Sequence, residues 1–161
     1  MDFKDHWNTV YVEMNRWNTL NEDGLLYTDG LGPCIGLCLA FGHWAGIIHS
    51  SHPPHDKKEI GEFIAAAKTV IPHQRLKEIQ PVLCGSDPEC DLDLDDNPTE
   101  YETERLLARK TIIEILKEEG FGEPKQLWSE ATETAAVFAD LKRLKVFVET
   151  GGRNYEYTIP Q

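Results

Sequence analysis

The chain has 161 residues, 40% hydrophobic and 27% charged, with a formal net charge of −12. That length suits a single domain, residues 1–161, large enough to bury a core without disulfide staples, and the charge disfavours nonspecific binding to nucleic acid or to an anionic membrane surface. No apolar run reaches the length of a membrane span, and Met1–His6 carries mixed charge rather than an apolar leader, so a cytoplasmic protein without membrane insertion is expected.

Taken in chain order, residues 8–14 alternate and are β-prone, which predicts a first strand. Residues 15–24 are polar and close on Asp23-Gly24, a turn signal. Leu25 to Thr28 reads as a short strand, and Gly30-Leu31-Gly32-Pro33 as a tight loop of special backbone conformation. Ile35 to Phe41 is apolar or small at every position, the pattern of a strand buried on both faces. Gly42-His43 is a turn, and Trp44 to His49 returns as the second arm of a hairpin. Asp56 with Glu59 reads as a capping box ahead of a helix, in which Ile60, Phe63, Ile64, Ala67, Val70 and Ile71 recur at helical spacing until Pro72.

Leu76 to Cys84 predicts a strand closed by Gly85-Ser86, followed by an acidic loop over 86–96. Asn97, Pro98 and Glu100 mark a second helix start. Ala108, Ile112, Ile115 and Leu116 give that helix an apolar face, and Gly120 stops it. The C-terminal part is β-rich, with strands expected over 126–129, 135–139, 144–149 and 155–159. Strands, helix, strand, helix and strands in that order argue for an α+β protein whose two helices cover a sheet.

The chemistry concentrates around Cys34. A cysteine is most often a buried, inert hydrophobe, and Cys38, inside the same predicted strand, is read that way. Cys34 differs in standing at a strand mouth behind Gly30 and Gly32, which suit a chain that approaches a ligand closely. His49 lies fifteen residues downstream, and the predicted hairpin brings it beside Cys34. A lone histidine at a strand end is more often structural, but an imidazole beside a thiol favours the reactive thiolate. Thr28 is placed to orient that imidazole, as the third member of a triad does. Cys84 and Cys90 flank a loop and read as bystanders. The cysteine spacings lack a Cys-x-x-Cys pair, which argues against a structural zinc site.

The run Thr28-Asp29-Gly30-Leu31-Gly32-Pro33-Cys34-Ile35, with His49 and then Pro53 downstream, resembles the chemoreceptor glutamine deamidases of bacterial chemotaxis, the CheD family. That family carries a Thr-x-Gly-Leu-Gly-Ser-Cys-Val type of motif, and its cysteine–histidine fold core recurs in bacterial toxins that deamidate glutamine. The resemblance implies a CheD-like mixed β-sheet sandwich with two covering helices. It also implies a catalytic Cys34, His49 and Thr28, with Gly30 and Gly32 at the substrate mouth. The implied reaction is hydrolysis of a glutamine side-chain amide on a protein substrate, without cofactor or metal. The chain departs from the family pattern at Pro33, where serine is usual, at Gly85-Ser86-Asp87, where Gly-Gly-Ala is usual, and in lacking Gly-Gly-x-x-Gly-Arg over 129–140. Proline has no N–H, so an oxyanion hole would draw on the Cys34 N–H and a second donor from elsewhere. A catalytically idle interaction module on the same fold, or a different thiol amidohydrolase or peptidase, remains an alternative at this point.

Two patterns imitate metal sites. Asp91, Asp93, Asp95 and Glu102 match four positions of a calcium loop, but Asp96 replaces the turn glycine and Pro98 intrudes. His49, His52 and His55 recur every third residue, but Pro53 and Pro54 prevent helical alignment. A solvated acidic loop that selects partners, rather than a metal site, is expected over 87–96.

Overall fold

A computed structural model describes residues 3–89 and 97–161. The chain is α+β and forms two mixed sheets of five strands each, with two main helices. One sheet contains β1 (Thr9–Tyr11), β3 (Leu25–Leu31), β8 (Ala135–Asp140), β9 (Lys145–Thr150) and β10 (Arg153–Thr158), adjacent in that order. The other is ordered β2 (Arg16–Leu20), β5 (Trp44–Ser50), β4 (Ile35–Phe41), β6 (Val82–Gly85) and β7 (Lys125–Trp128). Helices α1 (Lys57–Lys68) and α2 (Pro98–Glu118) cover the second sheet. Among the described residues no helix is long and apolar enough to cross a membrane.

The side-chain period of β4 builds both cores. Cys34, Cys38 and Ala40 face the first sheet and meet Leu26, Leu31, Val137 and Val148. Ile35, Leu37 and Leu39 face the helices and meet Ile60, Phe63, Ile112 and Leu116. A strand that serves two cores must be apolar at every position, which is the run found in the sequence. Leu25, Leu26, Leu31, Leu37 and Leu39 have no exposed surface. The outer face of the first sheet carries an aromatic group in which the Tyr27 and Phe138 rings stack with centroids 5.7 Å apart.

Three expected elements differ from those observed. Residues 8–14 are not one strand: β1 ends at Tyr11, the chain turns at Asn15 with φ of 60°, and β2 continues in the other sheet. The polar stretch after residue 15 therefore holds an edge strand, whose alternation is masked by Arg16, Asn18 and Thr19 on its exposed or half-buried positions. Leu76 to Cys84 is not one strand either. Residues His73–Glu78 form a 3-10 helix, and β6 begins only at Val82, because Pro81 has no N–H to give a ladder. Gly30 and Leu31, expected in a loop, extend β3 across a register shift between Thr28 and Leu31.

The ends of α2 follow the expected signals, and the start of α1 does not. Asn97 caps α2 through Oδ1, which accepts the Thr99 and Glu100 N–H groups. Gly120, with φ of +90°, closes it: Phe121 N–H donates to Leu116 O and Gly120 N–H to Lys117 O. Asp56 does not cap α1 with its side chain. Its carboxylate turns back and accepts from Ser50 Oγ at 2.6 Å and His52 N at 3.2 Å, fastening the end of β5 to the helix start.

This contrast is testable by urea denaturation. Asn97→Ala should cost about 1 kcal/mol, the ordinary value of an N-cap. Asp56→Ala and Ser50→Ala should be strongly non-additive, because each removes the same bond. Additive losses would show that Asp56 acts as a cap after all.

Candidate active site

β4 and β5 form the predicted hairpin, with Ile35 opposite Ser50, Gly36 opposite His49 and Phe41 opposite Trp44. Cys34 lies two residues before Gly36, on the same face, so it occupies the diagonal position to His49. Diagonal neighbours on one face of a sheet lie roughly 7–8 Å apart at the backbone, within reach of a long or aromatic side chain. The residue directly opposite His49 is a glycine, which presents no Cβ to the imidazole. All three candidate residues are buried: Cys34 is 5% exposed, His49 3% and Thr28 0%.

Thr28 reaches His49 from the other sheet, with Oγ1 2.7 Å from Nδ1. The same hydroxyl lies 2.8 Å from Val12 O, to which it donates. A hydroxyl has one proton, and a carbonyl can only accept it. Thr28 therefore accepts from His49, which fixes the proton on Nδ1 and leaves the lone pair on Nε2. That nitrogen is buried and has no hydrogen-bond partner among the described residues. Burial holds the His49 pKa below its ordinary 6.5, opposed by the nearby Asp29 charge. The ring is thus neutral at neutral pH, in the tautomer a general base requires.

The Val12–Asn15 crossover positions both partners. Val12 O receives the Thr28 hydroxyl, and Asn15 N–H donates to His49 O at 2.7 Å. Asn15 Oδ1 also accepts from Ser51 N and Oγ, which pins the residues just beyond His49. Sequence reasoning missed Val12 and Asn15. The only signal was an asparagine between two strand-forming runs, a residue type suited to positive φ.

The other wall is the loop after β6. Ser86 N–H donates to Cys34 O at 2.9 Å, and Asp87 N–H to Gly32 O at 2.8 Å. These N–H groups are committed to the backbone and are not free to serve an oxyanion. Gly85 has φ of +89°, and a Cβ there would lie 2.2 Å from Cys34 O, so the close approach requires glycine. Ser86 also has positive φ, 57°. Arg109 of α2 holds it there, donating from Nε to Ser86 Oγ at 2.9 Å and from Nη2 to Ser86 O at 2.8 Å. The Arg109 guanidinium lies 4.5 Å from the Trp128 ring centre, and burial lowers its pKa to about 10. Asp87 is buried, not part of a solvated loop, and its Oδ1 accepts from Glu89 N and Thr132 N. Residues 90–96 of the expected acidic loop, with Cys90, Asp91, Asp93 and Asp95, lie outside the described residues.

Of the two glycines expected at the mouth, only Gly30 needs its freedom, with φ of +63° at the β3 irregularity. Gly30 and Asp29 line an open cleft of about 560 Å³, whose other walls include Thr132, Glu133 and the turn at Gly151. Gly32 is not at positive φ and is not in that cleft's lining; its carbonyl anchors Asp87. Cys84, expected as a loop bystander, belongs to the inter-sheet core. Its pKa is pushed up to about 12 by burial, and burial raises that of Cys38 further. The His52 and His55 rings contact each other at a tilt of 33° with centroids 4.0 Å apart, while His49 turns to Thr28.

A scan against protein-family models and a search of curated proteins return no match for the chain.

Thr28→Val should lower stability by roughly 1–3 kcal/mol, because it leaves the His49 Nδ1–H and the Val12 carbonyl buried without partners. It should also slow alkylation of Cys34 by iodoacetamide. Unchanged labelling at equal foldedness would mean that Thr28 does not orient the base. The depressed His49 pKa fixes the sign of a second effect. The unfolded chain takes up a proton near pH 6.5, the folded one only lower. His49 therefore supports stability above about pH 6.5, and that support is lost as pH falls through the folded value. His49→Gln should flatten the acid-side fall of the urea midpoint relative to the wild type.

Proposed function

We propose that the protein is a glutamine deamidase, hydrolysing the side-chain amide of a protein-borne glutamine to glutamate and ammonia. The observation that carries this reading is the Thr28 hydroxyl between Val12 O and His49 Nδ1, which leaves His49 Nε2 as a buried base, without a hydrogen-bond partner among the described residues, on the face that carries Cys34. The resemblance of Thr28–Ile35, His49 and Pro53 to the CheD motif supports the same assignment.

In this mechanism His49 Nε2 takes the proton of the Cys34 thiol as Sγ attacks the carboxamide carbon. The tetrahedral oxyanion is stabilised by a backbone donor, for which the Cys34 N–H is the candidate. His49 returns the proton to the departing nitrogen, and ammonia leaves a thioester. Water attacks that thioester with His49 again as base, releasing the glutamate carboxyl and restoring the thiol. Thr28 touches no reacting atom and is a positioning residue. The burial of Cys34 favours this substrate class. A thiol that is 5% exposed is approached by the tip of a slender side chain more readily than by an extended backbone. The cleft bordered by Asp29 and Gly30 is the candidate docking surface for the protein that bears the glutamine.

Incubation with candidate glutamine-bearing proteins should release ammonia and convert amide to carboxylate by mass, with the substrate backbone intact. Cys34→Ser and His49→Ala should each lose roughly a thousandfold or more in rate, and together no more than either alone, because nucleophile and base act as a unit. Thr28→Ala should lose less and shift the acid limb of the pH–rate profile, which should lie below about pH 6.5 in the wild type. Backbone cleavage would replace this reading with a peptidase. Full cellular function of Cys34→Ser would replace it with a binding module.

A further inference from the structure

At the end of β4 away from Cys34, the two sheets part around a second cavity. It is partly open to solvent and has a volume of about 190 Å³. Cys38, Ala40, Val82, Val146 and Ile159 give it apolar walls. Lys125, the first residue of β7, and Tyr157 of β10 border it, and the Lys125 ammonium lies 5.7 Å from the Tyr157 ring centre. These are the edge strands of the two sheets, so neither is covered by a further strand on this side.

The charge at this place is informative. The chain carries twenty-eight acidic against sixteen Lys and Arg residues. Most buried or half-buried cations here find a carboxylate; Lys145, for example, meets Glu156 at 3.0 Å. Among the described residues Lys125 has none, although it is half-buried. Tyr157 keeps its proton, since burial, then Tyr155, raises its pKa, so its hydroxyl remains a donor. A cation and a neutral donor therefore border a space whose remaining walls are apolar except at Gln80 and Thr158. An apolar cavity of roughly 150 Å³ is enough to take up benzene. The volume here is well below the roughly 300 Å³ at which drug-sized ligand pockets begin, which excludes a nucleotide or a large cofactor.

We propose that this cavity binds a small monocarboxylate with a short aliphatic or single-ring tail, the tail against Ala40, Val82 and Val146 and the carboxylate on Lys125. The charge-assisted contact supplies orientation and the apolar walls supply affinity. The site is separate from Cys34 and stands whether or not the deamidase reading holds.

The test is titration of isotope-labelled protein with hexanoate and benzoate, with hexanol and hexylamine as matched controls. Saturable amide shifts should centre on Cys38, Ala40, Lys125 and Val146. Hexanoate should bind roughly tenfold more tightly than hexanol, with hexylamine weakest. Lys125→Gln should bring hexanoate down to the hexanol level while leaving hexanol unchanged. Equal or tighter binding of hexanol, shifts centred elsewhere, or no saturable shift at millimolar ligand would each overturn the proposal. The ligand series on the unaltered protein decides the matter even if the variant does not fold.

Discussion

The site depends on one hydroxyl. Thr28 Oγ1 joins the two sheets through the interior by accepting from His49 while donating to Val12. Without this bridge the His49 ring would lose its hydrogen-bond partner among the described residues, and the tautomer would be undetermined. Its geometry depends in turn on the crossover from β1 to β2, which supplies Val12 O on one side and the Asn15 N–H to His49 O on the other. One short corner thus sets the position of a threonine in one sheet and a histidine in the other. Such coupling is strong because every group is buried, where an unmade hydrogen bond costs its full desolvation.

Among the described residues three cysteines share the layer between the sheets, and their surroundings separate them. Cys38 and Cys84 are enclosed by apolar side chains, and burial disfavours their thiolates. Cys34 is at the end of the layer, diagonal to His49 and next to the loop that begins at Gly85. Under the proposed function the difference between Cys34 and Cys38 follows from position rather than from residue type, since Cys34, just before β4, and Cys38, within it, face the same core.

The helices contribute to the site indirectly. α2 sends Arg109 to Ser86, and that contact holds a non-glycine residue at positive φ beside Cys34. The bidentate guanidinium on one hydroxyl and one carbonyl, stacked on Trp128, is an arrangement that lysine does not reproduce. α1 is tied to the end of β5 through Asp56 and Ser50, one residue after His49. Both helices therefore brace the two ends of the hairpin mouth while packing its outer face.

Much of this was legible in the sequence where the pattern was local. The uninterrupted apolar run over Ile35–Phe41 required a strand buried on both faces, and a hairpin turn at Gly42 placed His49 near Cys34 whatever the rest did. Asn97 and Gly120 marked the ends of α2 because their cap chemistry is set within a few residues. Where competing local bonds existed, the sequence did not decide: Asp56 looked like a cap, yet Ser50 and His52 took its carboxylate. The partners of Thr28 were also out of reach, since Val12 and His49 lie sixteen and twenty-one residues away in opposite directions. The residues therefore determined that a thiol, an imidazole and a hydroxyl would stand near one strand mouth. Only the stacking of two sheets decided which atom of the imidazole holds the proton, because that choice rests on a hydrogen bond between layers that no sequence period encodes.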